Sequence, residues 1–281
     1  MNKKNKVLRQ LANDWLPPAI SNGIRNITNK QPKQQNNSVV WNGDYATWEE
    51  ALAASGGYDS ENILQKVKDS TLRVKNGEAV YERDSFVFEK IHYFWPILTG
   101  LMWTAACHRG RLDVLDFGGS LGSSYFQNRK FLSSLSEVYW SVIEQLHFVA
   151  CGREFIQDDC LRFYLTIEEC LLQRAPNVVL LSGVLPYLSD WQSLLQTILD
   201  KRISTIIVDR TPFVLEGKER ITVQTVPEAI YSATYPCRFF DESNFIRVFE
   251  ESSYQMVEDF VALDKANIPS IYKGFIFIDK L

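Results

Sequence analysis

The chain lacks the cysteine patterns of metal-binding and disulfide-rich proteins. Its five cysteines are odd in number and include no C-x-x-C pair, so neither a zinc site nor a disulfide framework is predicted. No group of His, Asp and Glu has the spacing of metal ligands, so no bound metal is predicted. The N-terminus carries basic residues but no apolar run ending in a small-residue cleavage site. No secretory signal is therefore expected. The expected location is the reducing cytoplasm.

Long apolar runs and a strong charge of one sign are also missing. The apolar stretch 91–107 is short for a bilayer core and contains His92, Pro96 and Gly100. A buried helix kinked at Pro96 is expected there instead. The formal net charge of −4 argues against wholesale binding of nucleic acid, and no nucleic-acid partner is predicted.

The charge is distributed unevenly along the chain, which suggests a division into three parts. Residues 1–38 contain seven basic residues and one acidic residue, and they are predicted to form a basic, partly disordered arm. An N-terminal helical cap is expected over residues 39–109, with helices at 48–54 and from about residue 60 towards Gly77. The arm is expected either to contact an anionic membrane peripherally or to act as a solubilising tail.

After Gly110 the pattern becomes an alternation of apolar strands and helix-length segments. Near-continuous apolar strands of this kind are typical of a doubly wound, mostly parallel sheet in an α/β protein, here residues 110–281. The predicted strands are 112–117, 138–143, 161–164, 178–181 and 205–208, with late strands at 260–263 and 274–278.

The first of these strands ends in an acid and enters a glycine-rich turn. A dinucleotide fingerprint would need glycine at positions 120 and 123, but both are serine, and no P-loop ending is present. The spacing resembles motif I of the class I S-adenosylmethionine (SAM) methyltransferases, and a strand-end acid suits a ligand that carries an ammonium and a sulfonium. The alternative is a tight strand-to-helix turn without a ligand. The candidate cofactor-binding residues of this turn are Asp116, Gly118, Gly119, Ser120 and Gly122.

Two further strand ends extend the predicted cofactor site. Glu144 follows the strand 138–143, 22 residues after Gly122, and an acid there can accept both hydroxyls of a ribose. Ser182 and Gly183 follow the strand 178–181, where small residues let the backbone approach a cofactor. An Asn-Pro-Pro-Tyr motif of the kind used by DNA amino-group methylases is missing, which disfavours a nucleobase as the acceptor.

Several patterns of this chain occur together and in order, and together they carry a resemblance. They are Trp41-x-Gly43-x-Tyr45-x-x-Trp48, Gly57-Tyr58-Asp59, Tyr81-Glu82-Arg83-Asp84-Ser85, Leu115–Gly122, Glu144-Gln145, Asp209-Arg210-Thr211-Pro212-Phe213 and Tyr235-Pro236. The set is similar to a bacterial family of SAM-dependent methyltransferases found with genes for O-antigen and capsular polysaccharide synthesis.

The resemblance covers roughly residues 39–281 and carries several expectations. It implies the class I methyltransferase fold, which is Rossmann-like with a seven-stranded sheet. It also implies SAM as the cofactor and a small-molecule or lipid-linked glycan as the acceptor. The expected location is the cytoplasm, with peripheral contact at the inner membrane.

A sugar hydroxyl is a weak acid, so its methylation would benefit from a general base. The candidate bases are Asp209, His92, Glu82 and Asp84. Arg83, Arg210 and Tyr235 are candidates for binding the acceptor, through a phosphate or carboxylate that it carries. The alternatives are a structural ion pair for Asp209 and Arg210 and a core position for His92.

Two other functions are compatible with the fold class. One is a non-catalytic SAM-fold scaffold in a polysaccharide-assembly complex. The other is an NAD-dependent sugar reductase or epimerase, which the interrupted glycine pattern and the absence of an obvious Tyr-x-x-x-Lys pair disfavour.

Overall fold

The computed structural model describes residues 39–58, 60–83, 86–227 and 233–280. The predicted basic arm (residues 1–38) and the candidate base Asp84 lie outside these ranges. The strands are β1 (Val40–Tyr45), β2 (Gly57–Tyr58), β3 (Tyr81–Arg83), β4 (Phe86–Phe88), β5 (Arg111–Phe117), β6 (Glu137–Ile143), β7 (Leu161–Tyr164), β8 (Val178–Ser182), β9 (Thr205–Val214), β10 (Arg220–Val226), β11 (Ala233–Phe239), β12 (Tyr254–Val261) and β13 (Ser270–Asp279). The α-helices are α1 (Trp48–Ala53), α2 (Ser60–Lys75), α3 (Trp95–Cys107), α4 (Ser123–Leu132), α5 (Leu146–Cys151), α6 (Ile167–Leu171), α7 (Trp191–Asp200) and α8 (Glu242–Glu250).

Seven strands form the main sheet, in the order β12-β13-β9-β8-β5-β6-β7. The strands from β9 to β7 are parallel, whereas β13 runs antiparallel to β9 and β12 antiparallel to β13. The predicted doubly wound, mostly parallel sheet is therefore confirmed. The chain leaves β5 towards β6 on one side and later returns to β8 on the other. The crevice at the carboxyl end of β5 is thus a topological switch point, where open α/β sheets bind their ligands.

Apolar side chains cover both faces of the main sheet. Along β8, Val178 and Leu180 belong to one buried cluster, and Val179 and Leu181 belong to the other. Because successive side chains of a strand point to opposite faces, each central strand contributes to both layers. Strands buried on both sides read as continuous apolar runs, which is why these strands could be predicted from the sequence.

A second sheet has four antiparallel strands, in the order β1-β10-β11-β2. The hairpin of β10 and β11, inserted after β9, pairs with β1 and β2 from the N-terminal part of the chain. The region 39–109, predicted as a helical cap, therefore also contains strands, among them Val40–Tyr45. The helices α1 and α2 lie where they were predicted. The division of the chain at residue 109 stays a prediction.

The apolar stretch before β5 forms helix α3, which begins at Trp95 and not at residue 91. Pro96 lies in its first turn, where the missing N–H breaks no helical hydrogen bond. The predicted kink at Pro96 is therefore wrong, since proline starts this helix. None of the helices in the described ranges has the length and apolar character needed to cross a bilayer.

Candidate functional site

The glycine-rich turn lies at the switch point, between the end of β5 and the start of α4. Gly118 has φ +73°, and a Cβ there would stand 2.5 Å from Cγ2 of Val184. Gly122 caps α4 with φ +90°, and Ser120 between them has φ +54°. The turn therefore needs glycine at position 118 for both its backbone conformation and its close packing, whereas it accepts a serine at position 120.

The acid of the predicted motif, Asp116, lies beneath this turn. Its side chain is 1% exposed, and its Oδ2 accepts a hydrogen bond of 2.9 Å from the indole Nε1–H of Trp140. Burial raises the pKa of Asp116 to about 7; the Trp140 hydrogen bond opposes the rise and the Glu144 carboxylate adds to it. The carboxyl group thus supports the turn from within the protein.

Glu144 follows β6 and connects the end of that strand to the turn. Its Oε1 accepts a hydrogen bond of 3.3 Å from the Ser120 N–H, and its Oε2 accepts one of 2.8 Å from the Gln145 N–H. Burial raises the pKa of the Glu144 carboxyl, although these two backbone hydrogen bonds oppose the rise. Each oxygen still has a second lone pair with which to accept a ligand hydroxyl.

On the other side of β5, Ser182 and Gly183 meet Asp209. The Ser182 hydroxyl donates to Oδ2 of Asp209 at 3.0 Å, and the Gly183 N–H donates to the Asp209 carbonyl at 2.9 Å. Asp209 is 0% exposed, and its Oδ1 has no hydrogen-bond partner within the part of the chain that the structure describes. A carboxylate oxygen that is both buried and unpartnered is costly, and such groups mark sites where a proton or a ligand is bound.

Burial and three neighbouring charges dominate the ionisation of Asp209. Burial is the largest effect and raises its pKa to about 6; the positive charges of Arg83 and Arg210 lower it, and the Asp264 carboxylate raises it. A base with a pKa near 6 is ionised at neutral pH and can still hold a proton transiently.

Asp209 and Arg210 do not lie at a strand end, as the sequence predicted, but in a bulge within β9. Lys273 of β13 pairs with Thr211, and Phe275 pairs with Val208. Asp209 and Arg210 therefore lie opposite the single residue Gly274. A β-bulge of this type re-aims side chains and is often found beside active sites. Here the strand continues past the bulge to Val214.

Arg210 is held by a carboxylate that the sequence analysis missed, Asp264. The guanidinium donates from Nε to Oδ1 at 3.1 Å and from Nη2 to Oδ1 at 3.0 Å. Burial would raise the pKa of Asp264, but the charges of Arg210 and Arg83 outweigh it and the pKa is lowered. No local motif marks position 264, which lies 54 residues after its partner.

The other candidate bases within the described ranges, Glu82 and His92, both contact helix α4. Glu82 on β3 is 1% exposed, and its Oε1 accepts a hydrogen bond from the hydroxyl of Ser123, the first residue of α4. His92 is exposed and precedes α3, with its carbonyl accepting a hydrogen bond of 2.5 Å from Nε2 of Gln127. The structure brings Glu82 to the start of the helix that follows the glycine turn, and the backbone of His92 contacts the same helix through Gln127.

Tyr235 on β11 belongs to a hydrogen-bonded chain that the sequence did not reveal. Tyr187 follows β8, and its hydroxyl donates to Oε1 of Gln224 at 3.0 Å, while Nε2 of Gln224 donates to the Tyr235 hydroxyl at 3.1 Å. The two tyrosine rings meet edge to face with centroids 5.4 Å apart. The second sheet thus carries aromatic and amide groups to the loop after β8.

No family model matches this chain, and no curated protein is detectably similar to it. Many solved structures are similar in shape. One is 1,6-didemethyltoxoflavin-N1-methyltransferase of Burkholderia thailandensis with bound 1,6-didemethyltoxoflavin and S-adenosylhomocysteine, at 13% identity and a TM-score of 0.44 over 90% of this chain and 100% of that one. Another is a SAM-dependent methyltransferase of Clostridium acetobutylicum, at 7% identity and 0.43 over 66% and 92%. A third is the CcbJ methyltransferase of Streptomyces caelestis, at 11% identity and 0.41 over 66% and 90%.

The strand order of the main sheet identifies the fold. When the seven strands of the main sheet are numbered 1 to 7 in chain order, from β5 to β13, their order across the sheet is 3-2-1-4-5-7-6. Strand 7, which is β13, is antiparallel to its neighbours. The chain therefore has the class I SAM-dependent methyltransferase fold, with a glycine turn after its first sheet strand and acids after its second and within its fifth.

Proposed function

We propose that the protein is a SAM-dependent methyltransferase that transfers a methyl group to a hydroxyl of a small-molecule or glycan acceptor. The observation that carries this proposal is the position of the Glu144 carboxylate at the switch point of the sheet. It accepts a hydrogen bond from the backbone N–H of Ser120 in the glycine turn. An acid beside a glycine turn at a strand end is the arrangement with which α/β folds hold the ribose of a nucleoside.

The residues present fit SAM on both sides of β5. Glu144 would accept the ribose hydroxyls, the backbone of Gly118 and Gly119 allows close approach, and Ser182 and Gly183 line the opposite wall. When bound, SAM supplies a methyl group on an already activated leaving group, so the protein needs chiefly to align the acceptor.

Asp209 is the residue that would handle the acceptor proton. Bound SAM would supply the methyl carbon and keep the electron pair of its carbon–sulfur bond, so the acceptor oxygen would have to lose only its proton. The hydroxyl proton passes to the Asp209 carboxylate, whose buried Oδ1 has no other hydrogen-bond partner in the described ranges. Ser182 orients this carboxylate through Oδ2. The Asp209 carboxyl group later releases this proton to solvent and is again ionised.

The charges around Asp209 favour an uncharged group at the reacting position. Among the described residues, two cations, Arg83 and Arg210, are balanced there by two carboxylates, Asp209 and Asp264. A balanced cluster has little net attraction for an anion, whereas a neutral hydroxyl needs only the base. This supports a sugar hydroxyl of a cell-surface polysaccharide precursor as the acceptor, in line with the sequence resemblance.

Transfer of labelled methyl groups from SAM to a panel of nucleotide sugars and lipid-linked glycans tests this function. Product that forms with the wild type and is lost in Asp209→Asn would support it. Binding of S-adenosylhomocysteine without transfer to any hydroxyl acceptor would instead support the non-catalytic scaffold.

The same proposal places the enzyme in the cytoplasm, with residues 1–38 in peripheral contact with an anionic membrane. The support is the excess of basic residues in that segment. Co-sedimentation with vesicles that contain anionic phospholipid should be salt-sensitive for the full chain and weaker for a variant that lacks these residues. Equal sedimentation of the two proteins, insensitive to salt, would contradict it.

A further inference from the structure

The bulge in β9 leaves Arg210 in a backbone conformation that needs support. Its φ is +53°, in the left-handed region that is strained for a non-glycine residue. The side chain is also largely withdrawn from water, with 22% of its surface exposed. An arginine in such a place is held by a specific partner, and here that partner is the forked contact with Asp264.

The segment that carries Asp264 is itself fixed on both sides. It joins β12 to β13, and its Asn267 accepts from the Trp41 N–H at 2.8 Å and donates to the Trp41 carbonyl at 2.9 Å. Ile268 is buried in the same cluster as Trp41. The carboxylate of Asp264 is therefore presented to Arg210 from a segment that is anchored to β1 of the second sheet.

This anchoring matters because Arg210 directly follows the candidate base Asp209. A guanidinium that turned towards Asp209 would pair with its carboxylate and suppress its basicity. Within the described part of the chain, the groups that influence the ionisation of Asp209 come from four elements: Arg83 from β3, Ser182 from β8, Arg210 from β9 itself and Asp264 from the segment between β12 and β13. Of these, Asp264 is the one that both adds a negative charge and engages the neighbouring cation.

We propose that Asp264 is a positioning residue, which holds the Arg210 guanidinium in a forked ion pair and so leaves the Asp209 carboxylate available as a base. This inference rests on the proposed function, in which Asp209 takes the acceptor proton. Asp264 itself does not touch the reacting atoms. Its removal acts on Asp209 in two ways that have the same sign, since the negative neighbour disappears and the Arg210 guanidinium loses its forked ion pair with Asp264.

The substitution Asp264→Asn isolates this effect, and the chain provides a matched control. Asp279, at the far end of β13, makes an equivalent forked pair with Arg202, at 3.0 Å from Nε and 2.9 Å from Nη2. Arg202 also has a positive φ, of +51°. Asp279→Asn therefore removes the same kind of ion pair from the same kind of backbone, away from Asp209.

The readout is the titration of Asp209, followed by NMR of protein labelled with carbon-13 at the aspartate carboxyl groups. The Asp209 signal is identified by its loss in Asp209→Asn. We expect its midpoint to fall by one pH unit or more in Asp264→Asn and to stay unchanged in Asp279→Asn. In Arg210→Gln the midpoint should instead rise. This variant lacks the cation beside Asp209, and the negative charge of Asp264 is no longer neutralised by Arg210.

Three results would contradict the proposal or show that Asp264 has only a structural role. An unchanged Asp209 midpoint in folded Asp264→Asn would contradict it, as would a downward shift in Arg210→Gln. If Asp264→Asn and Asp279→Asn lower thermal stability alike without moving the midpoint, the pair is only structural. If Asp264→Asn does not fold, Arg210→Gln alone decides. The titration needs neither SAM nor acceptor, so a failure to bind S-adenosylhomocysteine would refute the proposed function and leave this result standing.

Discussion

The carboxylate of Asp116 occupies the space that a side chain at position 119 would need. A Cβ on Gly119 would stand 2.4 Å from Oδ2 of Asp116 and 2.5 Å from its Cγ. The same Oδ2 is fixed by the indole of Trp140, so it cannot move aside without losing that hydrogen bond. The acid at the strand end and the glycine three residues later thus form one packed unit beneath the turn.

Gly119→Ala should therefore destabilise the protein by about 1–3 kcal/mol, the usual cost of overpacking a rigid site. The cost should fall when Asp116→Ala is present as well, because the obstructing carboxylate is then absent. Chemical denaturation of the two single variants and the double variant measures this coupling, which we expect to be about 1 kcal/mol or more. Additive effects of the two substitutions would show that the residues do not compete for space.

Asp116 also makes stability depend on pH in a defined direction. Its folded pKa, about 7, lies above the ordinary value of 3.8, so the folded protein keeps a proton that the unfolded chain has lost. The contribution of this residue to stability is fully present below about pH 4 and is lost as the pH rises towards 7.

Asp116→Asn removes this dependence, since an amide does not titrate. The difference in the free energy of unfolding between variant and wild type should shift in favour of the variant by roughly 3 kcal/mol between pH 4 and pH 7, since the pKa of Asp116 rises from 3.8 to about 7 on folding. Urea denaturation across this range measures it. A difference that does not change with pH would show that the Asp116 carboxyl is already ionised in the folded protein near pH 4.

Asp209→Asn should lower the rate of methyl transfer by about 100- to 10,000-fold, the usual contribution of a general base. Binding of S-adenosylhomocysteine should be little changed, because Asp209 is assigned to the acceptor proton and not to the nucleoside. Radiometric transfer assays and calorimetry of the same preparations separate the two effects. Asp279→Asn serves as the control, and an equal loss of activity in that variant would remove the assignment of Asp209 as the base.

The central strands of the main sheet could be predicted from the sequence because each buries both faces. The continuous apolar pattern of Val178–Ser182 is an example, and its predicted bounds differ from the observed ones by a single residue. The position of Glu144 directly after β6 follows from the same reasoning, since a polar residue that ends an apolar run marks the end of the strand.

The second sheet could not be predicted in this way, because its strands meet only through distant pairing. Val40 of β1 pairs with Thr225 of β10, and no local pattern links these two parts of the chain. The bulge at Asp209 and Arg210 is likewise a product of pairing with β13. A non-glycine residue at positive φ is not readable from the sequence, and neither is the partner that stabilises it.

The most direct test of the account is calorimetric titration of S-adenosylhomocysteine into the wild type, Glu144→Ala and Glu137→Ala. Glu137 starts β6, the strand that Glu144 follows, and forms a half-exposed ion pair with Arg111, so it is a matched acid away from the turn. We predict micromolar binding by the wild type and by Glu137→Ala, and affinity about 10- to 100-fold weaker for Glu144→Ala, the effect of losing hydrogen bonds to a charged group. Absence of binding by folded wild type, or equal binding by all three proteins, would contradict the assignment of this turn as a SAM site.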